Sequence, residues 1–201
     1  CVAFAALRPR HPDTERGTTR AVRLAVRTLY LIAGYAQFFR AYHAIRTPMT
    51  SPVTKEPTNL SFGFVGMLLK LLRAGGEHLA GDGAPAYIAV ALDVSGDRGT
   101  FRTQLYPEYK ATRDAPPDDL PPQVDRMLRT LGAIGVPCVG SEGFEADDVI
   151  ATMVRTLISA DDDLRIRFVS KDKDLKQLLV PGRVEMYDIY TEALITADDL
   201  K

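Results

Sequence analysis

Three carboxylates, Glu145, Asp147 and Asp148, fall within four consecutive positions directly ahead of the apolar run Val149-Ile-Ala-Thr-Met153. Acids in the first turn of a helix cap its free N–H groups and offset its dipole, which is one reading of the crowding. Three more acids occupy comparable positions. Asp93 follows the apolar run Ala86-Tyr-Ile-Ala-Val-Ala-Leu92, and Asp172 and Asp174 follow Arg165-Ile-Arg-Phe-Val169. Carboxylates about 4 Å apart repel by on the order of 4 kcal/mol at an effective dielectric of about 20, so gathering them needs a compensating charge. An all-oxygen donor set selects hard ions such as Mg²⁺ or Mn²⁺, and paired ions of this kind suit phosphoryl hydrolysis. Each acid also has a plain alternative as a turn or helix cap.

The elements that must position these acids alternate along the chain. Thr28-Leu-Tyr-Leu-Ile32 reads as a buried strand, and residues 61–73, with Phe62, Val65, Leu68, Leu69 and Leu72 at helical spacing, read as a helix. A loop marked by Gly75-Gly76 and Gly81-Asp-Gly83 leads to the strand ending at Leu92. Val124, Met127, Leu128, Leu131 and Ile134 define one helical face, Val136-Pro-Cys-Val139 a short strand, and residues 145–158 a second amphipathic helix. Residues 165–169 and 184–187 are further strands, separated by a short helix over residues 175–179. Strands alternating with helices predict an α/β domain around a mostly parallel sheet. In such sheets ligands bind beyond the carboxyl ends of the strands, where all six acids fall.

Residues 94–122 interrupt the alternation. Within them Arg98, Arg102, Lys110 and Arg113 are opposed by Glu108 alone from Arg98 to Arg113, with Phe101, Tyr106 and Tyr109 interleaved. Cations neutralise phosphates and rings stack on unpaired bases, so the composition suits a single nucleic-acid strand as well as an ordinary solvated loop.

In order along the chain, Ala91-Leu-Asp93, Phe101-Arg102, Tyr109-Lys110, Arg113, Glu145-Ala-Asp-Asp148 and Lys171-Asp-Lys-Asp-Leu175 resemble the 5′-3′ exonuclease domain of bacterial DNA polymerase I and its flap endonuclease relatives. Leu31-Ile-Ala-Gly-Tyr35, Phe39-Arg40 and Tyr42-His43 resemble the start of that domain. The resemblance runs from about Thr28 to Lys201. It implies a PIN-like α/β fold with a helical-arch insertion, cleaving DNA near a 5′ flap or 5′ end with two divalent ions. It implies metal-site roles for Asp93, Glu145, Asp147, Asp148, Asp172 and Asp174, and phosphate contacts by Lys110 and Arg113. Tyr35, Arg40, Arg102 and Tyr109 fall at DNA-binding positions, and a polymerase domain is an expected covalent neighbour. Two departures accompany the likeness: Ala33-Gly34 replaces the family's Asp-Gly, and the chain stops before the family's helix-turn-helix DNA-binding region.

The bulk numbers agree with this reading without deciding it. The 201 residues, 46% hydrophobic and 25% charged, suit one domain, and a net charge of -1 leaves polyanion binding to a local patch or to metal ions. Cys1 and Cys138 and the three histidines form no zinc pattern, which fits a reduced, cytoplasmic setting, and no apolar run approaches a membrane span. A start at Cys1 points to a fragment or a misplaced start. Residues 8–27 carry six arginines against two acids without hydrophobic periodicity, so residues 1–27 are expected to be a disordered extension, a transit peptide being the alternative. Two rival functions stay open: a flap-DNA-binding module whose catalysis Ala33 has impaired, and a PIN-type ribonuclease.

Overall fold

The computed structural model describes residues 27–45, 47, 49–73, 85–96 and 99–200. Apart from Arg27, the expected extension lies outside the described residues, as do the glycines at 75, 76, 81 and 83, Arg98 and Lys201. Five parallel strands, β1 Arg27–Ala33, β2 Tyr87–Leu92, β3 Cys138–Gly140, β4 Leu164–Val169 and β5 Val184–Asp188, form a sheet of order β3-β2-β1-β4-β5, and β6 Ala193–Ile195 joins β5 antiparallel. The helices are α1 Gly34–Ala44, α2 Asn59–Leu72, α3 Phe101–Leu105, α4 Leu120–Ala133 and α5 Ala146–Ala160, with a 3-10 turn over Lys173–Leu178.

Both faces of the sheet are covered, which is why its strands read as near-continuous apolar runs. Tyr30, Ile32, Val90 and Val169 pack with Phe38 of α1, Leu60 and Phe64 of α2 and Met127 of α4. On the other face Leu29, Leu31, Ala89, Ile166 and Phe168 pack with Val149, Ile150 and Val154 of α5. The alternation of Leu29 and Leu31 with Tyr30 and Ile32 is the two-residue period of a strand buried on both sides.

The expected elements are present with shifted ends, and two details differ. In α2 the buried residues are Leu60, Phe64, Met67, Leu68 and Leu71, whereas the expected face residues Phe62, Val65, Leu69 and Leu72 are exposed. The helix is apolar all round, so spacing alone could not choose which stripe faces the core. Among its described residues the insertion carries only the five-residue α3 and a series of turns over residues 107–112, and α4 starts at Leu120, two residues earlier than the insertion was expected to end. Pro121 and Pro122 sit in its first turn, where no intrahelical N–H is required.

Register sets the functional edge. Ala33 pairs with Ala91, Ile32 with Val169 and Val169 with Tyr187, so β1, β2, β4 and β5 end nearly flush. The chain turns sharply into α1 at Gly34, where a Cβ would stand 2.6 Å from Leu92 Cδ2 and 2.9 Å from the Ala91 carbonyl oxygen. Only glycine lets the helix start this close to β2.

One buried charge pair fixes the neighbouring register. Arg167 is fully buried; its Nε and Nη2 donate to Glu185 Oε2 at 3.1 and 2.6 Å, and its Nη1 to the Tyr30 hydroxyl at 2.8 Å. Arg167 and Glu185 are direct partners across β4 and β5. Removing one member strands the other in the core. Glu185→Ala is expected to cost about 3–5 kcal/mol in urea unfolding, and Arg167→Met combined with Glu185→Leu to recover most of that loss.

Candidate functional site

Helix α5 begins at the carboxyl edge and draws acids from two segments to its first turn. Glu145, its N-cap, has extended backbone and a buried side chain. The Glu145 backbone N–H donates to Asp148 Oδ2 at 3.0 Å, and the Ala146 N–H donates to Asp93 Oδ1 at 2.9 Å across from the end of β2. Helix capping therefore accounts for Asp148 and for one oxygen of Asp93. It leaves Asp147 unexplained.

The basic insertion folds back over this turn. Arg102 donates from Nη1 and Nη2 to Asp148 Oδ2 and Oδ1 at 2.6 and 2.8 Å, a bidentate pair, and its Nη1 stands 3.7 Å from Glu145 Oε2. Lys110 Nζ lies 2.9 Å from Glu145 Oε1, and the Tyr109 hydroxyl donates to Glu145 Oε2 at 3.2 Å. Lys110 reaches inward from a backbone at φ 56°, the left-handed region that a lysine seldom occupies. The Arg102 hydrogen bonds hold the Asp148 carboxyl below the usual carboxylate range. Burial lowers the Lys110 ammonium, but its contact with Glu145 outweighs that and raises it overall. Three residues expected at the nucleic-acid strand are thus placed on the acids in this conformation, while Arg113 is exposed.

Asp147 is held differently. Its carboxyl is pushed up to about 6, first by burial and then by the negative charges of Asp172, Asp93, Glu145 and Asp148. Among the described residues no hydrogen bond or ion pair reaches it. Asp172 and Asp174 are exposed at the start of the 3-10 turn, where Asp172 Oδ1 accepts from the Asp174 N–H at 2.9 Å. Tyr35 is placed near the same acids: burial, then Asp93 and Asp125, raise its phenol. Arg40 is directed elsewhere, toward Asp188 and Tyr190.

The donors suit a hard divalent cation. They are all carboxylate oxygens, and Asp147 is buried among negative charges that push its carboxyl up. Among the described residues no three Asp, Glu, His or Cys side chains close into a preformed cage. Ala33 ends β1 in the same region, buried with Ala91 and Ala146, and provides no side-chain cap to α1. Asp188, the last residue of β5, was missed by the sequence reading, although it directly follows the expected strand of residues 184–187 as Asp93 follows the strand ending at Leu92.

A family described as 5′-3′ exonuclease, N-terminal resolvase-like domain, matches residues 28–201. The DNA polymerase I of Rhizobium leguminosarum is 41% identical over 172 residues, which make up 86% of this chain and 16% of that protein. The chain thus spans about one sixth of the length of such curated relatives. Among solved structures, a T5 5′-exonuclease with divalent zinc ions bound has a TM-score of 0.58 at 21% identity, covering 87% of this chain and 59% of that one. A bacteriophage T5 flap endonuclease in a pseudo-enzyme–product complex with DNA and metal ions gives a TM-score of 0.57 at 20% identity over the same shares of 87% and 59%. At these identities the structural matches carry the fold, and the mostly parallel sheet expected from the sequence is the one they share.

The raised Asp147 carboxyl has a consequence for stability. A carboxyl that binds its proton more tightly folded than unfolded costs stability as pH rises from about 4 through about 6, and the cost is complete above that. In metal-free protein Asp147→Asn is expected to be more stable than wild type by about 1–2 kcal/mol at pH 7.5, allowing for partial solvent screening. That advantage should vanish by about pH 4 in urea unfolding curves.

Proposed function

The chain belongs to the family of 5′-3′ exonuclease N-terminal resolvase-like domains, and on that premise we propose that it hydrolyses DNA phosphodiester bonds at a 5′ flap or 5′ end, using divalent ions held at its acidic edge. The observation that carries the reading is Asp147, which feels the charges of four other carboxylates and, among the described residues, takes part in no hydrogen bond or ion pair. Asp93, Asp147 and Asp172 are its first candidates for holding metal, with Glu145, Asp148 and Asp174 acting directly or through water. Mg²⁺ or Mn²⁺ fits such a set, and two ions are expected. Bound there, they would supply the Lewis acidity that makes water nucleophilic near neutral pH and offsets charge on the scissile phosphate.

The chain's own cations do the rest. Lys110 and Arg102, now on Glu145 and Asp148, are placed to exchange a carboxylate for a phosphate oxygen as ions and strand enter. Arg113, exposed beyond them, would neutralise the strand, and Tyr35 and Tyr109 offer rings near the acids for a displaced base. The likeness to a DNA polymerase I supports a role as the nuclease part of a longer polymerase chain in replication and repair. Among the described residues no helix is long and apolar enough to cross a membrane.

Ala33 favours a second reading. A buried methyl ends the central strand at the edge where the acids converge, so the chain is a candidate for binding a flap without cutting it. Mg²⁺-dependent cleavage of a labelled 5′-flap duplex separates the two. Wild type is expected to cut and Asp147→Ala not to, while Ala33→Asp should raise the rate on the order of 10- to 100-fold by adding a donor. Cleavage by Ala33→Asp alone would establish the binding-module reading. Cleavage by none of the three would remove nuclease activity from this chain, and equal cutting of unstructured RNA would point to a ribonuclease.

A further inference from the structure

Arg40, on the second turn of α1, is flanked by two groups that the acidic edge does not use. Its Cζ lies 4.1 Å from the centroid of the Tyr190 ring. Its Nη1 is 3.6 Å from Asp188 Oδ1, which is too long for a hydrogen bond, and this buried nitrogen has no other hydrogen-bond partner among the described residues. Asp188 Oδ1 is itself fixed by the Tyr190 backbone N–H at 3.1 Å. The turn over residues 189–192 is pinned in turn by Lys70 of α2, which donates to the Ile189 carbonyl oxygen at 3.2 Å and pairs with Glu192. Stacking ring and carboxylate therefore belong to one braced turn between β5 and β6.

An ion pair whose only task was to join α1 to that turn would close to hydrogen-bond distance. This one stays open and leaves a buried donor unsatisfied, a costly arrangement in a resting protein. It also sets a carboxylate beside an arginine expected to meet a polyanion, where bulk electrostatics alone would place none. Both features make sense if the guanidinium is being aimed. With one face on Tyr190 and Nη1 toward Asp188, its remaining donors point in a fixed direction, and about 30% of the side chain stays accessible. That planar fork matches two oxygens of one phosphate, which a lysine cannot reproduce.

We infer that Asp188 and Tyr190 are positioning residues that aim the Arg40 guanidinium at a single backbone phosphate of the bound DNA. The inference rests on the DNA-cleaving function proposed above. Arg40 is the contacting group. Asp188 and Tyr190 act only through it, so their effects must disappear when it is absent.

A double-mutant cycle on binding of a labelled 5′-flap duplex, with Ca²⁺ in place of Mg²⁺ to hold the duplex uncut, tests this. Tyr190→Leu and Asp188→Ala are each expected to weaken binding about 3- to 10-fold in the wild-type background. In an Arg40→Ala background each should change it less than about twofold, because the group they orient has gone. Arg40→Lys should lose nearly as much as Arg40→Ala, and Tyr190→Phe, which keeps the ring and serves where Tyr190→Leu folds poorly, should bind like wild type. Equal losses in both backgrounds would show a merely structural turn and overturn the inference. So would unchanged or tighter binding by Asp188→Ala, or wild-type binding by Arg40→Ala. Failure of the wild-type chain to bind the flap duplex would remove the DNA reading and this inference with it.

Discussion

Like charges resist being gathered, and the carboxyl edge of this sheet exists because several structural devices hold carboxylates together against that resistance. Flush strand ends deliver Asp93 from β2 and the 172–174 segment from β4, and the start of α5 supplies Glu145, Asp147 and Asp148. Backbone N–H groups at the helix terminus take part of the negative charge, and Arg102 and Lys110 take more. Asp147 is what remains after those contributions. Its carboxyl is raised first by burial and then by the negative charges of its neighbours.

The same devices explain why the basic insertion is built as it is. In the metal-free protein its cations act as counter-ions for the acids, holding Glu145 and Asp148 in place. A strained backbone at Lys110 marks the tension of that position. In the proposed function divalent ions would take over the acids and a phosphate backbone the cations, so that neither would be left bare. Arg40 stands outside this exchange, braced by the β5–β6 turn.

Much of this was legible in the sequence, for definite reasons. Strands buried on both faces leave mostly apolar runs, broken in β4 and β5 only by Arg165, Arg167 and Glu185 ahead of the closing Asp188, so β1, β2, β4 and β5 were found, and acids after such runs fall on one edge. What escaped notice lacked a periodic signal or depended on tertiary partners. Helix α1 starts with no capping side chain and no acid in its first turn, so nothing in the sequence marks its beginning. The uniform apolarity of α2 hid its buried stripe. Arg167 sits in the core only because Glu185 and the Tyr30 hydroxyl meet it there, which no local pattern reports. The partners of Arg102 and Lys110 likewise depend on how the insertion folds back; their composition suited a nucleic acid or a solvated loop, and only the family resemblance gave them a phosphate or DNA role.

That the acidic edge is a divalent-ion site is best tested by direct ion binding, independent of any substrate. Mn²⁺ titrated into the protein and followed by the loss of its free EPR signal reports occupancy at the edge itself. The structure predicts uptake by wild type near neutral pH and at least about tenfold weaker uptake by Asp147→Asn. Equal uptake by the two proteins, or none by wild type at millimolar ion, would contradict it.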